Sequence, residues 1–154
     1  MSYLRIMFSF CLPFVSHFAW GQANGVPVDP TIAVVSPAAD MRKELAAFSG
    51  KWAGSCNGLT SGAYMADAFL LVEEIASETD IKVYYGQVGR FRHTSGVKIS
   101  SRVSGNIVDG ALTLATPDPL RMTCSIQGDN RLTCIVNDAK EGYNYRCHHS
   151  RLKN

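Results

Sequence analysis

The chain has 154 residues, 18% of them charged, and a formal net charge of +2. That composition fits one folded domain and excludes a disordered polyelectrolyte. Lys and Arg form no run anywhere, so bulk electrostatics select no nucleic-acid partner.

Met1 to Arg5 precede an apolar stretch from Ile6 to Trp20 that ends in Gly21-Gln22-Ala23, the pattern of a signal peptide (1–23) cleaved after Ala23. Pro13, Ser16 and His17 interrupt the stretch, and it falls short of the roughly 20 apolar residues that a spanning helix requires. The expectation is therefore an exported protein, periplasmic or secreted, with no membrane span in the mature chain. Cys11 and Arg5 leave with the leader, which lowers the net charge by one unit. About 130 residues remain, enough for a single core.

Residues 24–35 contain two prolines and no periodicity, and read as a flexible linker. The domain proper is expected over 36–154. Ser36 and Pro37 supply an N-cap and a first-turn proline, Asp40 and Glu44 lie near the positive end, and Gly50 follows Phe48. This grammar predicts a helix over 37–48.

From Lys51 the period changes to two, and turn residues recur at the spacing of an all-β fold. Strands are predicted over 51–57, 63–75, 80–87, 97–108, 111–116, 120–127, 131–137 and 143–152. Asp109-Gly110 is a two-residue hairpin signal, and Gly128-Asp129-Asn130 joins the sixth and seventh strands. Alternation turns Ile81, Val83 and Tyr85 to one face, with Val97, Ile99, Ser101, Val103 and Ile107. Leu112, Leu114, Met122, Cys124, Ile126, Leu132, Cys134 and Val136 follow the same rule. Together these residues form the predicted interior.

Four cysteines remain after export: Cys56, Cys124, Cys134 and Cys147. An even number in an oxidising compartment favours two disulfides, and the absence of any C-x-x-C pair argues against zinc. Antiparallel partners have position numbers with a constant total. Cys124 with Cys134 gives the same total as Ile126 with Leu132 and Met122 with Val136, so the two cysteines face each other across a hairpin, within bridging distance. Cys56 on the first strand and Cys147 on the last remain to bridge the seam at which a barrel closes.

The stretch Phe48-Ser49-Gly50-Lys51-Trp52-Ala53-Gly54 resembles the Gly-x-Trp motif that opens the first strand of lipocalins and related calycin barrels. From Phe48 to Leu152 the chain is similar to small exported bacterial lipocalin-like domains: Val72 to Ile75, Val83 to Gly86 and Asp109 to Leu112 follow the Trp strand in the same order. The resemblance implies an all-β, eight-stranded antiparallel up-and-down barrel preceded by a short helix. It also implies that an arginine of the last strand closes one end over Trp52. Arg151 is the candidate, because Trp52 and Arg151 give the same total as Cys56 and Cys147. Sequence blocks typical of transport lipocalins are not evident.

Cys147-His148-His149 invites a metal or thiol-catalysis reading, but His148 and His149 point to opposite faces of a strand and Cys147 is assigned to a disulfide. Glu73 and Glu74 diverge for the same reason and cannot flank one bond. No P-loop, Gly-x-Ser-x-Gly elbow or His-Glu-x-x-His motif occurs. The expectation is no catalytic residues, no metal and no cofactor, hence not an enzyme.

Ligand-binding candidates are Tyr85 and Tyr145, whose hydroxyls enter an apolar interior, and Arg90, Phe91 and Arg92 in a loop read over 87–96. The leading function is binding of a small, partly apolar ligand. The alternative is a module that binds another exported protein, as a periplasmic enzyme inhibitor or accessory domain does.

Overall fold

A computed structural model of the chain describes residues 22–23, 26–27, 31–91, 94–116, 120–138 and 142–153. Apart from Gln22 and Ala23, which form a short antiparallel ladder with Val26–Pro27, the predicted leader lies outside these residues. Eight strands build the domain: β1 (Gly50–Gly58), β2 (Tyr64–Ser77), β3 (Asp80–Phe91), β4 (Thr94–Val108), β5 (Ala111–Leu114), β6 (Leu120–Ile126), β7 (Arg131–Asp138) and β8 (Tyr143–Arg151). Each pairs antiparallel with the next, and β8 pairs back with β1. Closure gives each of the eight strands a hydrogen-bonded neighbour on both sides.

Alternating side chains supply the core. Trp52, Leu70, Val72, Ile81, Val83, Tyr85, Leu112, Leu114, Met122, Leu132, Val136 and Tyr145 are buried in one cluster inside the barrel. Each buried aliphatic side chain contributes about 1.5–3 kcal/mol. Ile81, Val83 and Tyr85 lie on the expected face, as do Val103, Leu112, Leu114, Met122 and Val136, while the side chains of Val97 and Ile99 lie outside the described residues. At the β4–β5 turn Asp109 and Gly110 have φ of 51° and 76°, the two left-handed residues that a two-residue hairpin needs.

Both disulfides lie on this interior face. Cys56 is bonded to Cys147 across the closing seam, and Cys124 to Cys134 across the β6–β7 hairpin. The seam register pairs Cys147 with Cys56 and Arg151 with Trp52.

Three sequence expectations need correction. The helix read over 37–48 contracts to α1 (Lys43–Ala46). The Met41 N–H closes a separate turn on the Ala38 carbonyl at 3.0 Å, and Arg42 occupies the N-cap without a side-chain hydrogen bond. An uncapped helix this short is not stable by itself; burial of Leu45 and Phe48 against the barrel core holds its single turn in place.

The second correction concerns the loop read over 87–96. β3 continues to Phe91 and β4 begins at Thr94, so only Arg92 and His93 separate the strands, and both lie outside the described residues. Gly89 reads as a chain breaker but is a ladder residue paired with Ala66. A Cβ there would come within 2.3 Å of the Met65 carbonyl oxygen, so its glycine answers a close backbone approach.

The third is the pair Glu73–Glu74. Strict alternation sends them to opposite faces, but β2 pairs with β3 at Val72↔Val83 and then at Glu74↔Lys82. Glu73 is the extra residue of a bulge, and both carboxylates lie on the outside between interior Val72 and Ile75. The Lys82 ammonium donates to Glu74 at 2.6 Å, and the Arg102 guanidinium donates to Glu73 at 3.3 Å. The Val35 N–H donates to the Glu73 carbonyl at 2.7 Å. Beside this anchor Ile32 is buried against Ala53, Phe69 and Leu71 on the outer wall, which ties down the end of the 24–35 segment.

Candidate functional site

Polar side chains enter the apolar interior from two strands. On β3, Tyr85 and Gln87 share a face because they are two apart, and on β8 so do Tyr145 and His149, which are buried while Asn144, Arg146 and His148 between and beside them are exposed. A continuous register row links the two sides: His149 pairs with Gly54, Gly54 with Ala68, and Ala68 with Gln87. The middle of the row, on β1 and β2, carries only small residues, so the polar groups on β3 and β8 face one another over a wall with little side-chain bulk.

Gln87 is the hub. The Tyr85 hydroxyl donates to Gln87 Oε1 at 2.5 Å, and the Tyr145 hydroxyl donates to the same oxygen at 3.5 Å. Burial pushes the Tyr85 phenol well above its ordinary range, and the nearby Tyr145 adds to the shift. Tyr85 is therefore a hydrogen-bond donor over the whole physiological range, not a base.

His149 differs from the other three. It is 1% exposed, and neither Nδ1 nor Nε2 has a hydrogen-bond partner among the described residues. Burial lowers its pKa to about 4, with the neighbouring His148 adding slightly and the Leu132 backbone opposing, although that backbone makes no hydrogen bond of acceptable geometry to either nitrogen. The ring is neutral at pH 7, with one donor and one acceptor unused. Each buried, unsatisfied polar group costs about 1–3 kcal/mol. His148, in contrast, is exposed, with Nδ1 3.4 Å from the Thr133 hydroxyl.

A second constellation lies at the end of the barrel where β1 begins and β8 stops. Trp52 is fully buried, and its Nε1–H donates to the Phe48 carbonyl at 2.9 Å. Arg151 lies over the indole with its guanidinium carbon 4.0 Å from the ring centroid. Its two Nη groups donate to the carbonyls of Ser49 at 2.5 Å and Ala47 at 2.6 Å. These carbonyls follow α1, where a helix end leaves acceptors free and favours a cation. An open depression of about 470 Å³ lies outside this end, lined by Val34, Ser36, Pro37, Lys51 and Arg151 among others.

Of the residues singled out in the sequence, Tyr85 and Tyr145 are brought together inside the barrel, and Trp52 and Arg151 meet across the β1–β8 seam. Arg90 and Phe91 belong to β3 with side chains outside the described residues, and Arg92 lies outside them altogether. Gln87 lies where the predicted strand 80–87 meets the predicted loop 87–96, and the sequence reading gives it no role. The signal was present, because Gln87 shares parity with Tyr85. The sequence reading treats His149 only as a metal ligand or catalyst and overlooks its place, with Tyr145, on the interior face of the last strand.

No protein-family model and no curated protein matches the chain. Among solved structures, a de novo designed fluorescence-activating β-barrel is similar to it, with a TM-score of 0.54 and 14% identity over 73% of this chain and 100% of the designed one. At that identity the likeness concerns the eight-stranded barrel alone.

Proposed function

We propose that the chain is an exported, non-enzymatic, lipocalin-like barrel that takes a small, partly apolar ligand into its interior. The observation that carries this reading is His149, a neutral imidazole buried in the interior with neither nitrogen partnered among the described residues. A ligand with an acceptor and a donor on an otherwise apolar body would satisfy both nitrogens and restore the hydrogen bonds that burial removed. Tyr85, Gln87 and Tyr145 form the other polar side of the site. Buried and protonated, the Tyr85 phenol suits recognition rather than proton abstraction. The designed barrel that this fold resembles is fluorescence-activating, and a barrel of this size is wide enough for one small ligand.

Export is supported by the residue pattern of 1–23 and by the two disulfides, which persist in oxidising compartments. The mature chain should then begin at Asn24, as N-terminal sequencing would establish. Binding is tested by native mass spectrometry of the protein from an exported fraction, together with displacement of an environment-sensitive apolar dye. A bound small molecule, or dye binding that weakens in His149→Leu while the variant remains folded, is the expected result. A folded barrel that carries no small molecule and binds no dye would rule the reading out.

A further inference from the structure

The four disulfide-bonded cysteines form a single register row. Cys124 is opposite Cys134, Cys134 is opposite Cys147, and Cys147 is opposite Cys56, on the consecutive strands β6, β7, β8 and β1. All four are fully buried on the interior face. Two bridges occupy the outer pairs, with Cα separations of 4.0 Å for Cys124–Cys134 and 3.9 Å for Cys56–Cys147.

These short separations mark both outer pairs as the narrow, non-hydrogen-bonded kind. An antiparallel residue directs its N–H and C=O to the same side, so the kind of pair alternates from strand to strand along a row. Cys134 and Cys147 are therefore the hydrogen-bonded kind, with Cα atoms about 5.5 Å apart, which is within the disulfide range. The native pattern uses the two narrow pairs and leaves a third, bondable pair between them.

We propose that this row is a site of intramolecular thiol–disulfide exchange, in which the central pair Cys134–Cys147 takes over the covalent link whenever an outer cysteine is a free thiol. Exchange requires a thiolate with access to a disulfide sulfur, and the row places Cys147 directly opposite Cys134 on the neighbouring strand and the same interior face. With the seam bridge open, the Cys147 thiolate attacks Cys134 Sγ. The Cys134–Cys124 bond breaks, the Cys134–Cys147 bond forms, and Cys124 leaves as a thiolate that takes up the proton Cys147 gave up. No electrons are gained or lost. In the wild-type protein the same step requires prior two-electron reduction of the seam bridge by a dithiol, which becomes a disulfide. The link then moves from β6–β7 to β7–β8, and the seam, opened by the reduction, carries no covalent bridge.

The Cys56→Ser variant tests the step without a reductant, since it starts with one thiol and one disulfide. Each cysteine falls on its own tryptic peptide, divided by Lys51, Lys82, Arg121, Arg131, Lys140, Arg146 and Arg151. The folded variant, incubated at mildly alkaline pH, acid-quenched, alkylated and mapped without reduction, should show the label moving from Cys147 to Cys124 as a Cys134–Cys147 linked peptide appears. The rate should be independent of protein concentration. A label that stays on Cys147, or exchange whose rate scales with concentration, overturns the proposal. Should Cys56→Ser not fold, wild type partially reduced with dithiothreitol decides instead: the central linkage among its one-disulfide forms supports the row as an exchange site, and its absence overturns it.

Discussion

The guanidinium of Arg151 covers the indole of Trp52 at 4.0 Å while its Nη groups hold the Ala47 and Ser49 carbonyls. One side chain thus fastens the last strand to the first and to the segment that enters the barrel. Both functions require a planar fork, so Arg151→Lys should behave as a loss, keeping the charge but not the paired donors or the stacking. Cation–π contact and charged hydrogen bonds together suggest that Arg151→Ala costs roughly 2–4 kcal/mol, with Arg151→Lys recovering less than half. Urea unfolding followed by Trp fluorescence would measure both, and a Lys variant as stable as wild type would contradict this account.

The barrel was legible in the sequence because period-two alternation and turn residues are local signals, and because constant pairing totals turn local signals into long-range ones. Trp52 with Arg151 and Cys56 with Cys147 share one register, which no propensity argument could give. What was not legible depends on backbone events that break the count. The bulge at Glu73 moves both glutamates outward, and the close approach of β2 to Gly89 makes a strand residue look like a turn. The helix failed for a related reason: Ser36 and Pro37 carry cap chemistry, but the chain turns at Ala38 to Met41 before any helix can use it. Gln87 was lost together with the misread loop.

The two disulfides should differ in what they contribute. Cys56–Cys147 closes a separation of 91 residues and Cys124–Cys134 one of 10. Chain entropy then assigns about 4.6 kcal/mol to the seam bridge and about 2.8 kcal/mol to the hairpin bridge. Paired alanine variants, Cys56→Ala/Cys147→Ala and Cys124→Ala/Cys134→Ala, leave no odd thiol to exchange. Thermal unfolding should rank the seam pair as the more damaging loss; the reverse order would show that the unfolded chain is already constrained near the seam.

Tyr85 and Gln87 form the shortest contact of the interior network at 2.5 Å. Tyr85→Phe keeps the ring and removes the donor, leaving Gln87 Oε1 with the more distant Tyr145 hydroxyl at 3.5 Å. A loss of about 1–2 kcal/mol is expected. Because burial holds the Tyr85 phenol protonated, ultraviolet titration of the tyrosines in the folded protein should lack the early ionisation of Tyr85, identified by comparison with Tyr85→Phe. That ionisation should appear only as the barrel unfolds in alkali. Early ionisation of every tyrosine would place Tyr85 in contact with water.

His149 makes stability depend on pH in a defined window. Its folded pKa is about 4 against an ordinary 6.5, so between those values the unfolded chain binds a proton that the folded barrel does not. Proton binding favours the state that accepts it, and stability falls as pH decreases from about 6.5 to about 4. The full difference amounts to roughly 3 kcal/mol. At pH 7 the ring is neutral in both states and this loss is absent. The measurement is a difference between two proteins, so that contributions common to both cancel. Urea unfolding across the window should show a steeper loss for wild type than for His149→Leu, the two curves separating progressively below about pH 6.5. Parallel curves would mean that the imidazole is hydrated or paired in the folded protein, and the same result would remove the unpartnered anchor on which the ligand-binding reading depends.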